Sequence, residues 1–87
     1  MTDPNKRLGV VAIIIQDRQS AKLINEILTD FSQIIIGRLG LPQPQREISI
    51  ISLIVEGTTD EIGALTGKIG QVPHVSVKTA FAKVPKD

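Results

Sequence analysis

Few side chains in this chain are of a type that does chemistry. There is one His and no Cys. The missing thiols exclude disulfides, thiolate metal sites and a Cys nucleophile. His74 follows Pro73 at the start of an apolar run and reads as a turn residue. No Ser, Thr or carboxylate has a base at a recognisable spacing, so no catalytic residue, metal site or cofactor is assigned. A small polar set remains. Gln16 and Asp17 directly follow a long apolar run, Arg38 interrupts a second one, and Gly40 lies two residues beyond it. An Arg in an apolar strand can hold an anionic ligand through paired N–H donors. On an edge strand it instead carries its head to water. Asp17 also has a plain structural use as a helix N-cap. Lys68, next to Gly70, suits the negative end of a helix dipole.

The elements that position these residues follow from the apolar pattern. Leu8–Ile15 is Leu-Gly-Val-Val-Ala-Ile-Ile-Ile, too short and too β-branched for a buried helix, so a strand is expected from about Arg7 to Ile15. It lacks alternation, so both faces should be covered. From Arg18 to Phe31, Ala21, Ile24, Ile27, Leu28 and Phe31 recur at helical spacing, with Lys22, Asn25, Glu26 and Asp30 on the wet side. A second strand is expected over Gln33–Leu39, then a proline-broken loop at 41–45. Glu47–Glu56 reads as a third strand, again apolar on both faces. Thr58-Thr59-Asp60-Glu61 has the spacing of a capping box. It opens a helix to about Ile69, with Ile62, Leu65 and Ile69 as its stripe and Gly70 as its C-cap. Val75–Val84 alternates cleanly and reads as a fourth strand. Gly63 and Gly67, four apart in the second helix, should mark a close backbone approach to the sheet or to another subunit, since each costs up to ~1 kcal/mol relative to Ala.

Composition bounds the whole. Eighty-seven residues make one domain, 1–87, with an expected ordered core of about 7–84 and flexible tails at 1–6 and 85–87. Ten Lys/Arg against nine Asp/Glu leave a net charge of +1, with no charge run, which argues against a nucleic-acid footprint. No apolar run reaches transmembrane length. The N-terminus lacks the apolar core of a signal peptide, so a cytoplasmic location is expected.

Strand, helix, strand, strand, helix, strand, with short connections and right-handed crossovers, gives an α+β, ferredoxin-like βαββαβ fold. Four antiparallel strands carry two helices on one face. The first and third strands should be central and the fourth an edge. The helix-free face is then on the order of 300–400 Å², about as large an apolar patch as a monomer usually shows. A second copy is the simplest cover, with Val11, Ile13, Ile34, Ile36, Ile51 and Leu53 as the expected interface residues. RNA-binding domains of this topology stack bases on central-strand aromatics, which are absent here. Copper chaperones need a Cys-x-x-Cys loop. Acylphosphatase-like enzymes, a distant alternative, use a Gly-rich loop after the first strand, and Gln16-Asp17-Arg18-Gln19 has no Gly.

Three stretches carry a positive resemblance: Leu8–Ile15, Ile36-Gly37-Arg38-Leu39-Gly40-Leu41-Pro42 and Ile62-Gly63-Ala64-Leu65-Thr66-Gly67-Lys68-Ile69-Gly70. Over about residues 7–84 the chain resembles the family of iron-only hydrogenase system regulators. That family has an ACT-like fold related to the regulatory domain of the nickel-responsive repressor. The resemblance implies a homo-oligomeric module, dimer or tetramer, that responds to a small-molecule effector and has no catalysis of its own. Gln16, Asp17, Arg38 and Gly40 then fall in the ligand region. The alternative is an oligomerisation or adaptor module without a ligand. The nickel-binding relatives ligate metal with His and Cys, so nickel sensing is not carried over. Amino-acid-binding ACT domains often have Gly in the turn after the first strand, which Gln16-Asp17 lacks. There is no helix-turn-helix pattern, so no direct nucleic-acid contact is expected, nor any with a membrane.

Overall fold

The computed structural model describes residues 5–83. Residues 1–4 and 84–87, which hold most of the two expected tails, lie outside the described residues; the fourth strand ends at Phe81, short of the expected Val84, with Ala82 and Lys83 outside it. The elements are β1 (Arg7–Ile15), α1 (Arg18–Asp30), a 3-10 turn at Ser32–Ile34, β2 (Ile35–Gln43), a second 3-10 turn at Pro44–Arg46, β3 (Ile48–Gly57), α2 (Thr59–Gly70) and β4 (Val75–Phe81). The sheet order is β2-β3-β1-β4, and every pairing is antiparallel. This is the ferredoxin-like arrangement, with β1 and β3 central and β4 an edge.

Both helices start where the local chemistry dictates. The Asp17 carboxylate accepts the Gln19 N–H and caps α1. Thr58 and Glu61 form a reciprocal capping box at α2: the Thr58 hydroxyl accepts the Glu61 N–H, and the Glu61 carboxylate accepts the Thr58 N–H. The two helices lie over one face of the sheet. Ile24 and Leu28 from α1, and Ile62, Leu65 and Ile69 from α2, pack with the strands into one core. The buried Ser20 hydroxyl donates to the Pro73 carbonyl at 2.6 Å and ties α1 to the turn before β4.

The central strands alternate in space although they do not alternate in sequence. Val11, Ile13 and Ile15 of β1 are at most 2% exposed, whereas Leu8, Val10 and Ile14 are at least 40% exposed. In β3, Ile51, Leu53 and Val55 are buried, while Ile50 and Ile54 face out. This corrects the expected interface. Val11, Ile13, Ile34, Ile51 and Leu53 lie in the core, and of the six expected residues only Ile36 is exposed. It sits beside the register shift between Ile35 and Gly37. With aliphatics on both sides of a strand, hydropathy does not say which alternate set meets the helices.

Three further expectations are corrected. β2 runs on to Gln43, with Pro42 opposite Ser49. An edge strand tolerates a missing N–H that a central one would not. Gly70 is the last residue of α2 rather than its left-handed cap: Gln71 is the C-cap in right-handed helical conformation. The helix closes through short bonds, from the Gln71 N–H to the Lys68 carbonyl and from the Val72 N–H to the Ile69 carbonyl, as tightened last turns do. The left-handed residue falls later, at His74, with φ 63°. Gly63 and Gly67 make no close approach to the sheet, because a Cβ at either position would meet nothing within 4 Å in the chain. The tightest approach is at Gly9, where a Cβ would stand 3.0 Å from the Ala80 carbonyl oxygen and 3.3 Å from the Phe81 ring, followed by Gly57, where one would stand 3.1 Å from the Ile34 side chain.

Candidate functional site

The end of β1, the first turn of α1 and the β2–β3 connection enclose a cleft on the helix side of the sheet. It consists of two neighbouring hollows of about 220 and 230 Å³, which share Ile15, Ala21, Pro42 and Ser49. The first is lined in addition by Asp17, Arg18, Gln43, Glu47 and Ile48. The second is lined by Asn25, Arg38, Gly40, Leu41, Ile50 and Ile51.

Arg38 reaches this cleft because of its register. It pairs with Leu53, whose side chain is buried beneath the helices, so the Arg38 side chain emerges on the helix side of the edge strand β2. There its guanidinium donates to Asn25 Oδ1 of α1 at 3.0 Å. One polar contact fixes the head of an otherwise exposed side chain. The other guanidinium donors remain free to form the paired bonds that recognise a carboxylate or phosphate. Gly40, two residues on, adds no side chain to the same wall, and a Cβ there would meet nothing within 4 Å. At the far end, Arg18 stands with the carboxylates of Asp17 and Glu47. Both signs of charge thus border an apolar floor of Ile15, Ile48 and Ile51. Such a surface can take a small molecule with an anionic group at the Arg38 end and an apolar body along the floor.

Of the four residues expected from the sequence, Arg38 and Gly40 line one hollow and Asp17 the next. Gln16 lines neither. Its N–H donates to the His74 carbonyl at 2.9 Å, which ties it to the turn before β4. Asn25, Arg18 and Glu47 were not singled out. Asn25 lay in the polar stripe of a helix, where only the register of β2 reveals that Arg38 will meet it. Leu41 and Ile50 line the cleft and also belong to the open face of the sheet. A larger hollow of about 390 Å³ lies between the helices, edged by Glu26, Asp30 and Lys68. The Lys68 ammonium stands 5.7 Å from the centre of the Phe31 ring. Among the described residues no cluster of His, Cys, Asp or Glu could hold a metal ion, and no helix is long and apolar enough to cross a membrane.

A four-stranded antiparallel sheet in this order, with both helices on one side, is the ACT-like arrangement. The ACT domain of GTP pyrophosphokinase from Chlorobium tepidum superposes with a TM-score of 0.74 at 19% identity, over 86% of this chain and 99% of that one. The chain belongs to the TM1266-like family, described as "Iron-only hydrogenase system regulator, putative", whose sequence profile matches residues 7–79. The uncharacterized protein TM1266 from Thermotoga maritima is 39% identical, with a TM-score of 0.87 over 90% of this chain and 99% of that one. The C-terminal domain of the MgtC protein from Mycobacterium tuberculosis shares the fold at 11% identity, with a TM-score of 0.71 over 94% of each chain. No curated protein matches the chain.

Proposed function

We propose that this chain is a non-catalytic regulatory module of the iron-only hydrogenase system. It works as a homo-oligomer in the cytoplasm and binds a small molecule bearing an anionic group in the cleft between α1 and the β2–β3 connection. The observation that carries this reading is the placement of Arg38. The guanidinium is held by Asn25 at the mouth of an apolar-floored cleft, with donors to spare. The shared walls support a regulatory use. Leu41 and Ile50 border both the cleft and the apolar face available to a second copy, so occupancy of one can bias the other.

A thermal-shift screen with amino acids, nucleotides and metal ions tests the proposal. A ligand at 100 times its Kd should add about 2.7 kcal/mol, which in a domain of this size raises Tm by more than about 10 °C. Arg38→Ala should then weaken binding of that ligand roughly 10- to 100-fold, as expected for loss of a charge-assisted hydrogen bond, while leaving the Tm of the free chain within about 2 °C. Absence of a shift with any class would leave the adaptor reading, in which the fold assembles without an effector. A shift that survives Arg38→Ala would move the site elsewhere.

A further inference from the structure

The start of β2 is irregular, and the irregularity builds a second hollow on the helix side. Ile35 pairs with Val55 and Gly37 with Ile54, so Ile36 has no partner of its own on β3. In a regular strand, residues three apart point to opposite faces. The inserted residue cancels one step of that alternation. Ile35, opposite the buried Val55, and Arg38, opposite the buried Leu53, therefore both lie on the helix side. Bulges re-aim side chains in this way. Here the bulge brings an aliphatic wall and a guanidinium together beside the last turn of α1.

The hollow has a volume of about 360 Å³ and is lined by Leu28, Thr29 and Ser32 on one side and by Ile35, Ile36 and Arg38 on the other. It is distinct from the cleft described above, with Arg38 as the only lining residue in common. Leu28 is 2% exposed and closes the floor, whereas Ile36 is 59% exposed and stands uncovered. The Thr29 hydroxyl is used within α1, donating to the Asn25 carbonyl at 3.0 Å. The Ser32 hydroxyl makes no hydrogen bond among the described residues. No carboxylate lines the hollow, so a single positive charge faces walls that are otherwise aliphatic or hydroxylic.

We infer that this hollow is a second small-molecule site, and that it takes a short aliphatic carboxylate. Its volume is near the lower end for ligand pockets, which fits a chain of about four to eight carbons. The carboxylate meets the Arg38 donors that Asn25 leaves free, since a guanidinium binds such a group through two parallel N–H bonds. Ser32 offers a further donor in the wall. The alkyl chain covers Leu28, Ile35 and Ile36 and removes their apolar surface from water. A free amino acid fits poorly, because its ammonium would lie among aliphatic side chains with no carboxylate to meet it. The inference goes beyond the proposal for the cleft and does not depend on it.

Titration of the ¹⁵N-labelled full chain with butanoate, hexanoate, octanoate, 4-methylpentanoate and leucine tests this. Octanoate should bind with a dissociation constant below about 10 mM, with saturable shifts centred on residues 28–38. Each added methylene should tighten binding about 3- to 4-fold until the chain outgrows the hollow. Leucine, which is 4-methylpentanoate with an added ammonium, should bind at least about 10-fold more weakly than that acid. Ser32→Trp fills the hollow from an exposed position in the 3-10 turn, so the chain should keep a folded amide spectrum and lose the octanoate shifts. The same variant should keep the thermal shift given by a compound bound in the cleft, so the two sites succeed or fail separately. The inference is overturned if octanoate gives no saturable shifts, or if Ser32→Trp binds it as well as the wild type does. Shifts centred on cleft residues 40–51, or on Ile14 and Ile54 of the open face, would also overturn it, as would leucine binding as tightly as 4-methylpentanoate.

Discussion

Ile13→Glu is expected to leave no folded chain at 25 °C, whereas Ile14→Glu, one residue on, is expected to fold. Ile13 is fully buried beneath the helices, and Ile14 is 40% exposed on the open face. A carboxylate at position 13 has two choices. It stays ionised at a cost of several kcal/mol, or it takes up a proton and shifts its pKa upward. Either adds to the ~2–5 kcal/mol lost with the aliphatic packing. A chain of this length has about 4–13 kcal/mol in total. At position 14 the carboxylate reaches water in the free chain, and the loss should be within about 1 kcal/mol. Circular dichroism and urea titration of the two variants measure the difference. Equal losses would mean that the faces of β1 are not divided as described.

The second large effect concerns α2. Leu65→Ala should cost about 2–5 kcal/mol, because Leu65 is wholly buried against the sheet and its neighbours relax only partly into the space. On the other side of the same helix, Gly63→Ala and Gly67→Ala should each gain up to about 1 kcal/mol of helix propensity, since an added Cβ meets nothing. The midpoints of urea unfolding should therefore move in opposite directions for residues two apart. A loss at Gly63 or Gly67 would show that something packs against that side of α2 in solution.

These pairs of neighbours mark the limit of what could be read from the residues alone. The bounds of β1, the cap at Asp17, the capping box at Thr58 and the order of the strands all follow from local chemistry. Which of two aliphatic sets in β1 and β3 faces inward does not, because Ile13 and Ile14 are chemically identical. Only the position of the helices decides, and that is a property of the whole fold. The spacing of Gly63 and Gly67 does put both on one side of the helix. Ile62, Leu65 and Ile69 then fix that side as the outer one. Arg38 is visible as an odd residue in an apolar strand, and of its two open readings the edge residue is the one its place on β2 matches. It stands on an edge and lines a cleft. Its partner Asn25 is thirteen residues away in sequence, and only the pairing of β2 with β3 brings the two together.

The most direct test of the cleft as a ligand site is a ¹H–¹⁵N titration of the full chain with the compound that gives the largest thermal shift. Saturable shifts should concentrate at residues 17–21, 38–43 and 47–51, with the Arg38 side-chain resonance among them, and should need roughly 10- to 100-fold more ligand in Arg38→Ala. Saturable shifts centred elsewhere, for instance on the groove between α1 and α2 near Leu23 and Lys68, would contradict it.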